Sequence, residues 1–262
     1  MNSPLLSLLL PYQTCPFING SYPNLHIEDF LDNLNTILLE SERDKIELLI
    51  KIDDDDTEAI NLIPKIESTY LFYIKCFVSE RKQGRESLHD FYNYLFSQTN
   101  PNSKFIGFFA DDILFHFPKA TGLISELEQY QENKYVIFWG VPSSIGDNEV
   151  VPLPERLYLE DISLNKVTIF STPIVSRTIL ESMINISNLQ NIDATMGVLV
   201  YFLDRLYSVN IVKLLQKLVT IRKDNLRPDK DNIIYKLNST FYDIIKLQAD
   251  NIYLNIKNEG LI

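Results

Sequence analysis

Short runs of apolar residues recur through the first 110 residues of the chain. They are rich in aliphatic, β-branched and aromatic side chains and end at polar or proline positions, a pattern typical of strands. Four such strands are predicted, at 7–10, 48–52, 70–78 and 105–109. Pro11 follows the first run directly, and we expect it to end that strand in a polar loop that faces a ligand.

Two of the segments between these runs have apolar residues at helical spacing. In the segment 27–38 these residues lie on one face and acids lie on the other; they are Ile27, Phe30, Leu31, Leu34, Ile37 and Leu38. The segment 88–96 has a similar apolar face and follows Ser87, a favourable N-cap residue. Alternation of strand and helix in this order predicts an α/β fold with a mostly parallel central sheet flanked by helices.

The second half of the chain has a less regular pattern. Strands are predicted at 135–139 and near 166–170, on either side of a proline-containing acidic stretch. Helical spacing then returns, and four helices are predicted at about 177–186, 194–207, 211–221 and 233–247. The length suits one continuous α/β domain, so we expect a single domain with a more helical C-terminal part.

Composition and charge narrow the classes of function. The 262 residues are 45% hydrophobic, enough for a large core, and the net charge of -11 repels phosphate backbones, so nucleic-acid binding is not expected. Cys15 and Cys76 have neither a disulfide-framework nor a zinc-ligand spacing, which fits a reducing compartment. The apolar run 5–10 is too short to span a membrane and has no basic residue before it, so no transmembrane segment is predicted and the expected location is cytoplasmic.

Two adjacent acids follow the predicted strand 105–109. Asp111 and Asp112 offer the hard oxygen ligands that suit Mg²⁺ or Mn²⁺, which commonly use one or two carboxylates together with substrate phosphates. The alternative is that the pair simply ends a strand in solvent or caps a short helix.

Acids also follow the strand 48–52. Ligands of open α/β sheets bind outside the carboxyl ends of the strands, so Asp53 is well placed to accept a hydrogen bond from a base or a ribose. For the next three residues, 54–56, we expect a solvated acidic loop, because four ionised acids cannot all be usefully buried.

A basic cluster follows the third strand, in a chain that is acidic as a whole. Arg81, Lys82 and Arg85 surround Gly84 just before a predicted helix, where cations and backbone N–H groups can meet a diphosphate. The alternative is an exposed loop in which these cations pair with Glu80 and Glu86.

Four motifs, in this order and spacing, resemble those of family 2 glycosyltransferases over about the first 115 residues. They are the strand and proline at 8–11, Leu-Leu-Ile-Lys-Ile-Asp at 48–53, Arg-Lys-Gln-Gly-Arg at 81–85 and Phe-Phe-Ala-Asp-Asp at 108–112. The resemblance implies a GT-A fold in which residues 1–115 form a nucleotide-sugar-binding half and residues 116–262 form an acceptor-binding half. It also implies transfer of a sugar from a nucleotide-diphosphate donor, a UDP-sugar above all, to a hydroxyl of a carbohydrate or other acceptor, with inversion.

The resemblance implies roles for individual residues. The nucleotide would be contacted by Pro11, Tyr12, Asp53, Arg81, Arg85 and Asp111. Mn²⁺ or Mg²⁺ would be held by Asp111 and Asp112, where the usual DxD triplet reads Ala110-Asp111-Asp112. The histidines all precede residue 117, so the late metal-binding histidine of many family members has no counterpart.

The resemblance places the catalytic base at the start of a helix in the acceptor half, where Asp193 is the best match. A carboxylate held rigidly there can accept the proton of the acceptor hydroxyl. The alternative is that Asp193 only caps the helix 194–207, and Asp161 is the second candidate for the base.

Two other functions remain open. A nucleotidyltransferase shares the nucleotide-binding sheet and metal-binding acids, but its glycine-rich phosphate loop has no counterpart in residues 10–15, which contain no glycine. A non-catalytic nucleotide-sugar-binding protein on a degenerate GT-A scaffold fits the missing first acid of the DxD triplet. The chain has no GxSxG, P-loop or GxGxxG motif, which argues against hydrolases, NTPases and dehydrogenases.

Overall fold

The computed structural model describes residues 3–12, 14, 27–81, 88–109, 113–116, 122–143, 173–183, 192–222 and 239–262. The strands assigned in these residues are β1 (Leu6–Tyr12), β2 (Ile46–Asp53), β3 (Tyr73–Ser79), β4 (Phe105–Phe108), β5 (Ile113–His116), β6 (Ile137–Ser143), β7 (Ile174–Ser176) and β8 (Val212–Arg222). The α-helices are α1 (Ile27–Ile37), α2 (Thr57–Thr69), α3 (Leu88–Gln98), α4 (Leu123–Glu128), α5 (Arg177–Met183), α6 (Ile192–Tyr207) and α7 (Ser239–Asn258), and a 3₁₀ helix covers Glu40–Lys45.

The strands form one sheet in the order β3-β2-β1-β4-β7-β6-β8-β5. Strands β3, β2, β1 and β4 are mutually parallel, and β6 is parallel to β8. The short strand β7 runs antiparallel to both β4 and β6, and β5 runs antiparallel to β8. The predicted mostly parallel α/β sheet is therefore confirmed.

Both faces of the sheet are covered by helices, because successive strand residues point to opposite faces. Leu8 and Leu10 of β1 pack into a core cluster with α1, α2 and α4. Leu9 between them packs into a second cluster with α3, α5, α6 and α7. The predicted apolar face of the segment 27–38 is confirmed, since all six of its apolar residues are buried.

Strand β1 continues through Pro11 to Tyr12, so the prediction that Pro11 ends the strand is wrong. Proline is tolerated in a strand where its missing N–H faces no partner. The N–H of Phe109 donates to the Leu9 carbonyl at 3.0 Å, so the backbone of Leu9, and that of Pro11 two residues on, faces β4. The ladder between β1 and β4 ends at Leu9, so Pro11 costs no ladder bond there.

Strand β8 occupies the segment predicted to be a helix at 211–221, and that prediction is wrong. The strand pairs with β6 on one side and with β5 on the other. Leu215 pairs with Gly140 but Val219 pairs with the next residue, Val141, so residues 216–218 bulge out. The bulge breaks the two-residue alternation and leaves the apolar positions at an apparent helical spacing, which strand pairing overrides.

Several boundaries also differ from the prediction. Helix α2 was not predicted at all, and Pro64 lies inside it. The last helix runs to Asn258 rather than ending near 247, and β3 begins at Tyr73 rather than at 70. The strand predicted near 166–170 lies outside the described residues.

Candidate functional site

The carboxyl ends of β1, β2, β3 and β4 lie along one edge of the sheet. From β1 the chain adds β2 and then β3 on one side, and β4 pairs with the other side of β1. The order of connection therefore reverses between β1 and β4. In open α/β sheets the crevice outside such a reversal is where ligands bind.

Asp53 is the last residue of β2 and is 5% exposed at this edge. Lys51 lies two residues earlier on the same face of the strand, and its Nζ donates to Oδ1 of Asp53. Nη2 of Arg81 lies 3.5 Å from the other carboxylate oxygen, Oδ2. The structure thus places Asp53 between two cations, one buried below it and one at the surface.

Arg81 bridges the ends of β2 and β3. Its Nε donates to Oδ1 and Oδ2 of Asp55 at 2.6 and 2.7 Å, and its backbone N–H donates to Oδ1 of Asp54 at 3.2 Å. The hydrogen bond to Asp55 raises the pKa of Arg81 most, and the charges of Asp53, Asp55 and Asp56 raise it further. Arg81 pairs with Asp53 and Asp55, so a diphosphate would have to compete with two carboxylates for its guanidinium group.

Asp56 is 6% exposed, so the prediction that residues 54–56 form a solvated acidic loop is wrong at this position. Its Oδ1 accepts the N–H of Ala59 at 3.0 Å and thereby caps α2. The hydroxyl of Thr14 also donates to Oδ1, and the N–H of Thr14 donates to Oδ2 at 2.7 Å. Asp56 therefore ties the segment that follows β1 to the start of α2.

Phe109, the residue that follows β4, is held beside β1 by hydrogen bonds. Phe109 is buried, its N–H donates to Leu9, and its carbonyl accepts the Tyr92 hydroxyl at 3.0 Å. Asp111 and Asp112 follow within three residues in the sequence, but they and Arg85 lie outside the described residues, so their roles stay predictions.

Asp193 lies in the first turn of α6, which begins one residue earlier at Ile192. The helix therefore begins two residues before the expected start at 194, and Asp193 is part of the helix rather than a residue that precedes it. Ile192 and Met196 on the same turn are buried in the second core cluster. Catalysis by Asp193 stays a prediction, as does that by Asp161, which lies outside the described residues.

The structure brings four of the predicted nucleotide contacts to one edge of the sheet: Pro11, Tyr12, Asp53 and Arg81. Sequence reasoning missed Lys51, although a lysine within an otherwise apolar run was a visible signal. The described residues contain no group of three or more His, Cys, Asp or Glu side chains that could hold a metal ion. No helix in the described part of the chain is long and apolar enough to cross a membrane.

No protein-family model and no curated protein matches the chain. Among solved structures, residues 1–349 of S. aureus TarS superpose with a TM-score of 0.52 at 15% identity, over 82% of this chain and 59% of that one. The complex of the same TarS fragment with UDP gives a TM-score of 0.52 at 12% identity, over 82% of this chain and 60% of that one. A longer TarS structure also gives a TM-score of 0.52, at 13% identity, and this chain covers 36% of it.

At these identities the likeness establishes the fold. The mixed α/β sheet with flanking helices is similar to GT-A glycosyltransferase structures. The chain spans about three fifths of the length of the TarS fragment it superposes on.

Proposed function

We propose that the chain binds a nucleoside-diphosphate sugar, a UDP-sugar above all, and transfers the sugar to a hydroxyl acceptor. The observation that carries the proposal is the buried Asp53 carboxylate, held by Lys51 and Arg81 at the carboxyl edge of four parallel strands. In a GT-A-like fold this edge faces the crevice where a nucleotide would lie. A similar structure, the TarS fragment, forms a complex with UDP, which favours a uridine nucleotide as the first ligand to test.

The proposed chemistry divides between the two halves of the chain. Asp111 and Asp112 would hold Mn²⁺ or Mg²⁺, which would neutralise charge on the leaving diphosphate. Asp193 would accept the proton of the acceptor hydroxyl as the sugar is transferred. Tyr12 and Pro11, next to Asp53 in the neighbouring strand, would contact the nucleoside.

Calorimetric titration with UDP tests the nucleotide and metal parts of the proposal. We expect UDP to bind more tightly with Mn²⁺ than with EDTA, because a metal ion held by Asp111 and Asp112 would offset the negative charge of the diphosphate. Asp112→Asn should lose this metal dependence, whereas the matched control Asp204→Asn, an exposed acid on α6, should keep it. Equal affinity for UDP in Mn²⁺ and in EDTA would contradict the metal site, and no binding in either would contradict the nucleotide site.

A second function, nucleotide-sugar binding without transfer, is favoured by one observation in the sequence. Alanine stands at position 110, where a DxD triplet has its first acid. Incubation of bound UDP-sugars with metal separates the two functions, since a transferase with an intact site releases UDP by slow donor hydrolysis. Tight binding with no release of UDP from any donor would favour the binding protein.

A further inference from the structure

Lys51 is an unusual residue for its place in the fold. Strand β2 lies between β1 and β3, all eight of its residues are buried, and the Lys51 side chain is 1% exposed. Parallel strands buried on both faces are normally continuous apolar runs. A buried ammonium group is strongly destabilising unless it is paired and hydrogen-bonded, so an apolar side chain here would fit the fold better.

Two groups hold the ammonium of Lys51. Its Nζ donates to Oδ1 of Asp53, and it lies 3.7 Å from the centroid of the Phe91 ring on α3. An ammonium over an aromatic face is attracted by the ring quadrupole, which makes the face of the ring partially negative. Asp53 is the one carboxylate partner found for Lys51 in the described residues, so the pair acts as a unit.

This pairing defines which hydrogen bonds Asp53 offers to a ligand. An ammonium group donates and never accepts, so Lys51 can only be paired with an acceptor, and it engages Oδ1 of Asp53. Oδ2 faces Arg81 at 3.5 Å, a longer distance than the bonds Arg81 makes to Asp55, and it keeps acceptor capacity on that side. An ionised carboxylate can only accept, so the ligand group that meets Asp53 must donate.

We propose that Lys51 is a positioning residue that fixes Asp53 with Oδ2 towards the crevice and so selects a nucleobase that presents a ring N–H, such as uracil, over one that presents a bare ring nitrogen, such as cytosine. The proposal rests on the proposed function, in which Asp53 meets the base. It adds that selectivity depends on the buried lysine as much as on the aspartate.

The sharpest test replaces the carboxylate by an amide while Lys51 is kept. In Asp53→Asn the amide oxygen must accept from Lys51, so the amide NH₂ turns towards the ligand and offers a donor. We expect UDP to bind about tenfold more weakly than to the wild type, which corresponds to the loss of one hydrogen bond to a charged group. CDP should bind more tightly than to the wild type, so the preference for UDP over CDP should be reversed. The measurement is calorimetric affinity for UDP and for CDP under the same metal conditions.

The double variant Lys51→Met/Asp53→Asn shows whether the lysine sets the orientation. It removes both buried charges together, so it is expected to fold even if Lys51→Met alone does not. Without the ammonium the amide of Asn can turn either way, so the preference between UDP and CDP should fall to nearly none. Lys51→Arg keeps a cation, and we expect it to retain a preference for UDP.

The control is Lys75→Met, the same substitution on an exposed lysine of the adjacent strand β3, which should bind both nucleotides as the wild type does. Wild-type selectivity in the double variant, or a CDP preference in it equal to that of Asp53→Asn, would overturn the role of Lys51. A wild-type protein that binds UDP without preferring it to CDP would also overturn this inference but leave the proposed function standing. A wild-type protein that binds no nucleotide would contradict the proposed function itself.

Discussion

At the residue scale, Asp53 combines a proposed contact to the nucleotide with a buried ion pair to Lys51. The carboxylate is buried against the ammonium of Lys51, so the two side chains depend on each other for stability. Breaking a buried pair by removing one partner is costly, because the other charge is left uncompensated, whereas removing both is often nearly neutral. Any substitution at Asp53 is therefore a test of stability as well as of binding.

We predict that Asp53→Ala lowers the free energy of unfolding by about 3 kcal/mol or more, since it leaves the Lys51 ammonium unpaired in the sheet. Lys51→Met/Asp53→Asn should recover most of that loss. Urea denaturation of the three proteins measures both effects. A stable Asp53→Ala protein would mean that water or another group reaches Lys51.

Asp193 gives a second prediction at the residue scale. A carboxylate in the first turn of a helix interacts favourably with the helix dipole, so Asp193→Asn should cost less than about 1 kcal/mol of stability. If Asp193 is the base, however, turnover should fall by roughly 10² to 10⁴ while affinity for the donor stays near the wild-type value.

The matched control is Asp204→Asn on the same helix, which should leave both turnover and donor affinity unchanged. Turnover of Asp193→Asn within a few-fold of the wild type would assign Asp193 to the helix alone and move the search for the base to Asp161.

The sequence predicted the positions of candidate site residues that follow strands, but it did not predict the positions of the residues that form hydrogen bonds around them. Asp53 was identifiable because a charge directly after a buried run must lie at the edge of the sheet. Arg81 was identifiable because it belongs to a basic cluster that follows the third predicted strand. Asp56 was misjudged, because its burial depends on Thr14, 42 residues earlier in the chain, which donates two hydrogen bonds to it. Partners so distant in sequence leave no local pattern.

At the element scale, the loop between β2 and α2 organises the edge of the sheet. Asp56 caps α2 and holds Thr14, so one carboxylate joins the end of β2, the start of a helix and the segment after β1. That arrangement holds Thr14 against the loop that follows β2, at the edge of the sheet where the proposed ligand would lie.

We predict that Asp56→Ala lowers the free energy of unfolding by about 2–3 kcal/mol, which combines the loss of a helix cap with the loss of two hydrogen bonds from Thr14. Asp56→Asn should cost less, because asparagine caps a helix about as well as aspartate. The control Glu58→Ala changes an exposed acid in the first turn of α2 and should stay within about 0.5 kcal/mol of the wild type. Equal losses for Asp56→Ala and Glu58→Ala in urea denaturation would contradict the role of Asp56.

Helices and strands were predictable from the sequence where the spacing of their apolar residues follows one regular period throughout. The apolar face of α1 and the buried run of β2 follow simple patterns, and both appear close to their predicted positions. Strand β8 does not, because the three-residue bulge at 216–218 shifts its pattern partway along. Such a bulge is fixed by the neighbouring strands β5 and β6, which are distant in sequence, so its position could not be derived from local residues.

At the scale of the whole molecule, the two halves of the chain share one sheet. Strands β1 to β4 come from the first 108 residues, and β6, β7 and β8 come from residues after 136, with β4 paired to β7 where the two sets meet. Glu259 directly follows helix α7 and accepts hydrogen bonds from Lys134 at 2.8 Å and from Tyr135 at 3.1 Å, just before β6. The pairing of β4 with β7 therefore joins the two halves, and Glu259 adds contacts within the second half.

Some of the described side chains are neutral at pH 7 and become negatively charged at high pH, when they lose a proton. The hydrogen bond to Asp250 raises the pKa of Tyr207 to about 12, with burial as the next cause. Burial, and then the hydrogen bond to Glu259, raise the pKa of Tyr135 to about 12. Burial raises the pKa of Cys76 to about 12 as well.

These shifts predict a loss of stability at alkaline pH. Each pKa is higher in the folded state than in the unfolded state, where tyrosine and cysteine ionise near about 10 and 8.5. The stabilisation is therefore complete below the unfolded-state pKa values and is lost as pH rises through the folded-state values, between about pH 9 and pH 12.

The variant Tyr207→Phe tests this prediction, because it keeps the ring stacked on Tyr253 but removes the ionisable hydroxyl. We expect it to be less stable than the wild type at pH 8, and we expect the difference to shrink above pH 10. Urea denaturation of both proteins between pH 8 and pH 11 measures that convergence. A difference in the free energy of unfolding that stays constant over this range would show that the bond between Tyr207 and Asp250 does not set the alkaline limit.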